Sequence, residues 1–144
     1  ALFMGRYNHT MDPKGRLSIP SKYREILGDE FVVSKGMDGC LFVFDNKNWA
    51  EFEEKLSALP MGKLETRQYT RFFLAGATQV EVDKQGRILM PTQLRTFAGL
   101  EKDVVLVGMG KRIEIWSAEQ WTAMEEGVDM NAITEAMADL GLIF

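Results

Sequence analysis

The chain spells one segment twice. "DPKGRLSIP" at residues 12–20 returns as "DKQGRILMP" at residues 83–91. The correspondence runs well beyond these nine positions. At an offset of 71, Gly5 matches Gly76, Asp12 matches Asp83, Gly15-Arg16 matches Gly86-Arg87, and Pro20 matches Pro91. Arg24 then matches Arg95 and Gly28 matches Gly99. One inserted residue moves the offset to 72, which pairs Val32-Val33 with Val104-Val105, Gly36-Met37 with Gly108-Met109, and Trp49 with Trp121. A stacked array needs at least about three repeats to bury a continuous core. Two copies therefore point to a pseudo-twofold pair, residues 1–72 and 73–144, packed as one compact body.

Each repeat reads as α+β. An extended stretch, residues 5–11 or 77–82, leads into Asp-x-x-Gly. Asp at the first position of a turn caps it through its side chain, and Pro13 presets φ at the second. Gly15 or Gly86 at the fourth supplies the left-handed conformation of a bulged hairpin. Asp12 and Asp83 are thus expected as turn caps. The chain returns through "RLSI" or "RILM" into a short helix, "SKYREILG" or "TQLRTFAG", opened by Pro20 or Pro91 and closed by Gly28 or Gly99. Two more strands follow in each repeat, "EFVVSKG" with "CLFVFD" and "DVVLVGMG" with "RIEIWS". Helical hairpins come last. Trp49, Phe52, Leu56 and Leu59 recur at helical spacing behind an Asp45/Asn46 cap, "PMG" breaks the run, and Leu64, Tyr69, Phe72 and Phe73 begin another. In the second repeat Trp121 and Met124 start a helix, Gly127 interrupts it, and Met130, Ile133, Met137 and Leu140 continue. Such stripes serve either core packing or a subunit interface, and the apolar ending "GLIF" suits the latter.

Bulk properties narrow the class. The 144 residues, 46% hydrophobic and 26% charged, have the composition of a folded globular chain. No apolar run approaches the ~20 residues of a membrane helix, and "ALFMGRYNHT" lacks the pattern of a secretory signal. A lone cysteine, Cys40, makes no internal disulfide, so a reducing cytoplasm is the expected location. Net charge is −4 but unevenly spread. Residues 1–24 hold Arg6, Lys14, Arg16, Lys22 and Arg24 against Asp12 alone, whereas residues 113–144 hold seven carboxylates and no Lys or Arg. Association responds to that local field rather than to the total.

Little here suits catalysis. His9 is the only histidine and Cys40 the only thiol. They read as a strand residue and a small core hydrophobe rather than a nucleophilic pair. No metal-ligand spacing or phosphate-cradling loop is present, so neither metal nor cofactor is expected. Asp12 and Asp83 could face each other as a carboxylate dyad, but their turn positions account for them.

The run "MGRYNHTMDPKGRLSIPSKYRE", then "FVVSKGMDGCLFVF", "RFFLAGATQVEVDKQGRILMP" and "RIEIW", resembles the MraZ family over residues 2–125. That family falls in the swapped-hairpin AbrB (SpoVT-AbrB) class. The resemblance implies a double-split β-barrel of paired β-α-β units with helices around it. It also implies a bacterial regulator, not an enzyme, that binds repeated promoter boxes of the division and cell-wall gene cluster as a ring of subunits on nucleoid DNA. An AbrB-type antitoxin is one alternative, but it would carry the motif once per chain. An oligomeric scaffold is the other, and it would need no basic loop tips.

The residues themselves indicate the atoms that would touch double-stranded DNA. Lys14 sits at a hairpin tip, with Gly15 letting backbone approach and Arg16 just beyond. A Lys supplies a point charge to phosphate, and an Arg fork binds phosphate or the guanine edge. Arg6, Lys22 and Arg24 extend the basic surface, and the second repeat offers Lys84, Arg87 and Arg95. Because Gln85 stands for Lys14 and Ala77 for Arg6, the first repeat is expected to be the principal reader. The competing reading of Arg16 and Arg87 is an ion pair with the Asp of the same turn.

Overall fold

A computed structural model describes residues 2–143, leaving Phe144 of the apolar "GLIF" ending outside the described residues. In the first repeat the order is β1 (Arg6–Thr10), β2 (Arg16–Ser18), α1 (Ser21–Leu27), β3 (Glu30–Lys35), β4 (Leu41–Asp45), α2 (Asn46–Ser57) and α3 (Leu64–Ala75). The second repeat follows with β5 (Thr78–Glu81), β6 (Arg87–Leu89), α4 (Thr92–Ala98), β7 (Asp103–Gly108), β8 (Ile113–Ser117), α5 (Ala118–Glu126) and α6 (Met130–Asp139).

The repeats exchange strands. Six strands form an antiparallel sheet in the order β1-β7-β8-β4-β3-β5, which maps onto itself when the repeats are interchanged. The first strand of each repeat has left its own unit: β1 pairs with β7, and β5 pairs with β3. The remaining two strands, β2 and β6, form a separate pair, Leu17 opposite Ile88 on the pseudo-twofold axis, while Leu17 also bridges Met11 across its own turn. Neither repeat can complete its sheet without the other, which is the physical reason for a single body.

The large sheet is covered on both faces. Phe31, Val33, Leu41, Val43, Val104, Leu106, Ile113 and Ile115 point to one side, where Leu17, Ile88, Tyr23 and Leu94 close the core. Phe42, Phe44, Val105 and Trp116 point to the other side, beneath α2, α3 and α5. Strands buried on both faces carry near-continuous hydrophobic runs, and "LFVF" at 41–44 is one.

Two expectations are corrected in detail. Sequence matching pairs Val32-Val33 with Val104-Val105, but the ladders equate Phe31 with Val104 and Val33 with Leu106. Phe31 lies opposite Asp45 as Val104 lies opposite Ser117. Val32 and Val104 therefore sit on opposite faces, since one residue of slip turns every side chain over. The insertion lies in the loop before β7, which is longer than the loop before β3. The Asp45 side chain also accepts no backbone N–H of α2; its Oδ1 accepts from the Asn48 side chain at 2.6 Å instead. Ser117, at the matching position before α5, does accept the N–H of Gln120.

Candidate nucleic-acid interface

The two Asp-x-x-Gly turns are built alike. In the first, Asp12 Oδ1 accepts the N–H groups of Lys14 at 3.0 Å and Arg16 at 2.8 Å. The Gly15 N–H donates to the Asp12 carbonyl at 2.9 Å, and Gly15 adopts φ of 91°. In the second, Asp83 Oδ1 accepts from Gln85 and Arg87 at 2.8 and 2.9 Å, with Gly86 at φ of 77°. The outer oxygens hold the arginines: Asp12 Oδ2 accepts Arg16 Nε at 2.5 Å, and Asp83 Oδ2 accepts Arg87 Nε at 3.2 Å. The Arg16 backbone N–H, aided by the Arg16 side chain and the Lys14 N–H, holds the Asp12 carboxyl below its ordinary pKa against an opposing effect of desolvation. Arg87 does the same to Asp83, its backbone N–H contributing most. Each arginine is oriented from its own turn while keeping solvent access, 39% for the Arg16 side chain and 28% for Arg87.

The β2–β6 ribbon sets where these groups point. Side chains alternate faces along a strand. Leu17 and Ile88 face inward, 0% and 1% exposed. Arg16 opposite Leu89, and Ser18 opposite Arg87, face outward. The two arginines thus lie diagonally on one small outer surface, and both line a cavity of about 600 Å³ with Asp12, Ser18, Glu101 and Lys102. Because the strands are antiparallel, the turns sit at opposite ends. Met90 N–H donates to the Gly15 carbonyl at one end, and Ile19 N–H to the Gly86 carbonyl at the other.

Strand exchange also crosses the helix arginines. A Cβ on Gly15 would lie 3.0 Å from Arg95 Nη1, and one on Gly86 would lie 2.9 Å from Arg24 Cζ. The first turn therefore gathers Lys14, Arg16 and Arg95, while the second gathers Lys84, Arg87 and Arg24. Arg24 thus serves the second turn, not the first-repeat surface to which its sequence position assigns it. Its Nε also donates to the Ile19 carbonyl at 3.0 Å. Glycine at both turn positions is required by φ, and a flexible guanidinium lies close against each.

Two cations lie elsewhere. Arg6 stands over the Trp121 ring at 5.4 Å and approaches Glu125 at 3.6 Å, so α5 engages it. A neighbouring cavity containing Arg6, Asn8 and His9 meets the ribbon cavity at Thr10 and Ser18. Lys22 lines a separate groove with Leu2, Met4, Tyr7, Tyr23 and Ile26. Ser18, Leu89 and Lys102 were not among the residues expected from sequence. Only the inward–outward alternation of "RLS" and "RIL" marks the first two, and nothing local marks Lys102.

The candidates for catalysis stay apart. His9 is on the end strand β1 and Cys40 leads into β4, with β7 and β8 between those strands. Burial lowers the His9 pKa and pushes the Cys40 thiol up to about 12. Among the described residues no three His, Cys, Asp or Glu side chains gather as metal ligands. Nor, among the described residues, is any helix long and apolar enough to cross a membrane.

Comparison with known proteins agrees with this duplicated architecture. A family described as "MraZ protein, putative antitoxin-like" matches residues 2–72 and again 73–141. A protein of Heliobacterium modesticaldum is 55% identical over 125 residues, covering 87% of each chain. One from Lachnoclostridium phytofermentans is 52% identical over 143 residues, covering 99% of this chain and 100% of the relative. One from Clostridium acetobutylicum is 49% identical over 142 residues, covering 98% and 100%. All three are named transcriptional regulators, a class that acts on gene expression rather than by catalysis. The chain belongs to the MraZ family.

Proposed function

We propose that the chain is a sequence-specific DNA-binding regulator whose β2–β6 ribbon and flanking turns enter the major groove. The observation that carries this is the convergence of Arg16 and Arg87, from different repeats, on one outer face. The B-DNA major groove is about 12 Å wide and admits a two-stranded ribbon. From the Gly15–Met90 rung to the Ile19–Gly86 rung is four steps of about 3.4 Å, so the tips stand about 14 Å apart. Lys14 and Lys84 then reach phosphates on opposite groove walls while the arginine forks face base edges between them. Asp12 and Asp83 orient the forks, and Gly15 and Gly86 allow the close approach. Arg24 and Arg95 reinforce the positive potential from behind. This joint reader replaces the division of labour in which the first repeat dominates.

The exchange of β1 and β5 supports reading the body as a swapped-hairpin, double-split barrel, with repeats 1–72 and 73–144 as its halves. We propose that its targets are repeated boxes in the promoter of the division and cell-wall cluster, bound on the nucleoid in the cytoplasm by a ring of subunits. Two exposed surfaces support self-association. Met130, Ile133 and Met137 line one side of α6, which buries no residue, and Leu140 follows as its C-cap. Leu64, Arg67, Arg71 and Leu74 line one side of α3 at the same spacing. The acidic tail helix of one subunit fits the basic, apolar face of α3 on the next.

Charge reversal tests the ribbon. Arg16→Glu and Arg87→Glu, made separately, are each expected to weaken binding to the DNA upstream of the gene more than tenfold in a gel shift, as one bidentate Arg–guanine pair is worth about 1–3 kcal/mol. Full binding by either variant would refute a joint reader.

A further inference from the structure

We propose that Leu89 reads a thymine methyl group, and that its exchange for Ser18 across the pseudo-twofold axis makes the ribbon recognise a directional site. The inference rests on the ribbon being the DNA reader. Within β6 the alternation is sharp: Ile88 is 1% exposed and Leu89 is 62% exposed. Leu89 stands directly across from Arg16 on the outer face, and Ser18 stands across from Arg87. At the offset of 71 Leu89 and Ser18 occupy equivalent positions, so the face carries two arginines related by symmetry and two residues that break it.

Nothing in the fold explains an apolar side chain there. Leu89 belongs to neither buried cluster. It projects from the outer face at the end rung it shares with Arg16, beside a surface otherwise made of Arg16, Ser18 and Arg87, and its equivalent in the first repeat is the polar Ser18. In the major groove the C5 methyl of thymine is the apolar feature of a base edge, and apolar side chains contact it. Arginine beside leucine presents a donor fork and a methyl-sized contact side by side, which suits a guanine followed by a thymine. At the other end Arg87 beside Ser18 offers donors and an acceptor but no apolar contact. A ribbon of this kind distinguishes the two directions along the duplex.

The test is fluorescence anisotropy with the duplex upstream of the gene and the same duplex carrying deoxyuridine at every thymine. Wild type is expected to bind the deoxyuridine duplex about fourfold more weakly for each methyl contacted, the worth of one buried methyl-sized group. Leu89→Ser is expected to bind the normal duplex about fourfold more weakly and to lose most of the distinction. Ser18→Leu is expected to widen it. Both positions have solvent access, so the variants keep the core intact, and light scattering checks their assembly. An equal thymine-to-deoxyuridine ratio in wild type and Leu89→Ser overturns the inference while leaving the DNA reader standing. So does a Leu89→Ser protein that changes only its oligomeric state. No binding of the normal duplex by wild type overturns the reader itself, and the inference with it.

Discussion

Asp12 and Asp83 each bind two backbone N–H groups through one oxygen and an arginine through the other. This dual role separates turn stability from arginine placement, and a single substitution can divide them. Asp12→Asn keeps an oxygen for the N–H groups of Lys14 and Arg16 but removes the charge that holds the guanidinium. The turn should persist at neutral pH, while Arg16 is less oriented and one negative charge is gone from the DNA face. Non-specific affinity should rise, the salt dependence should steepen, and the ratio of specific to non-specific binding should fall. Anisotropy titrations across salt, with promoter and unrelated duplexes, measure all three. The pH dependence follows from the depressed carboxyls. A carboxylate with folded pKa below its unfolded value of about 3.9 stabilises the fold fully above that value, and this is lost as pH falls through the folded pKa. Acid unfolding curves should therefore show a contribution below about pH 4 that Asp12→Asn diminishes. The turn chemistry was legible in the sequence because it is local. The attachment of Arg24 to the second turn was not, because it depends on which strands pair across the repeats.

Helices α3 and α6 occupy equivalent places in their repeats and differ in what they bury. Phe73 of α3 is 1% exposed, stacked on Phe42 and edge-on to Phe52, Tyr69 and Phe72. No residue of α6 is buried. Phe73→Ala should therefore cost about 3–5 kcal/mol in urea unfolding, whereas ending the chain after Gly127 should change stability by less than about 1 kcal/mol. A large loss on truncation would mean that α6 packs on its own body. Both helices show the same stripe in sequence, since 3.6-residue periodicity marks an apolar side without naming what covers it. The strands were legible from their apolar runs and bounding glycines. Their registers were not, because a sheet covered on both faces lacks the alternation that fixes register, and the matching of Val32 with Val104 failed for that reason. The exchange of β1 and β5 was also invisible locally, because it is a pairing between residues of different repeats.

A ribbon with three to six cations makes a weak reader alone, and the chain's net charge of −4 opposes DNA at long range. Repetition of the ribbon on the proposed ring would resolve this. A second ribbon engages at the effective concentration set by the first, which multiplies affinity by about 10²–10⁴ when box spacing matches subunit spacing. The proposed contact between α6 of one subunit and α3 of the next would be head-to-tail, and contacts of that kind close into rings when the rotation permits. Every ribbon in such a ring points the same way around it. With Leu89 and Ser18 breaking the symmetry of each ribbon, the matching DNA pattern is a series of boxes in one direction rather than a palindrome. Ile133→Asp together with Met137→Asp puts charge into the α6 stripe without touching the ribbon. The double variant should run as a smaller species in light scattering and bind a single box as wild type does. On a duplex carrying the natural series of boxes it should lose about 10²–10⁴ in apparent affinity. Equal affinity of the two proteins for the series would separate assembly from DNA recognition. Weaker binding to a single box would instead place α6 against the reader.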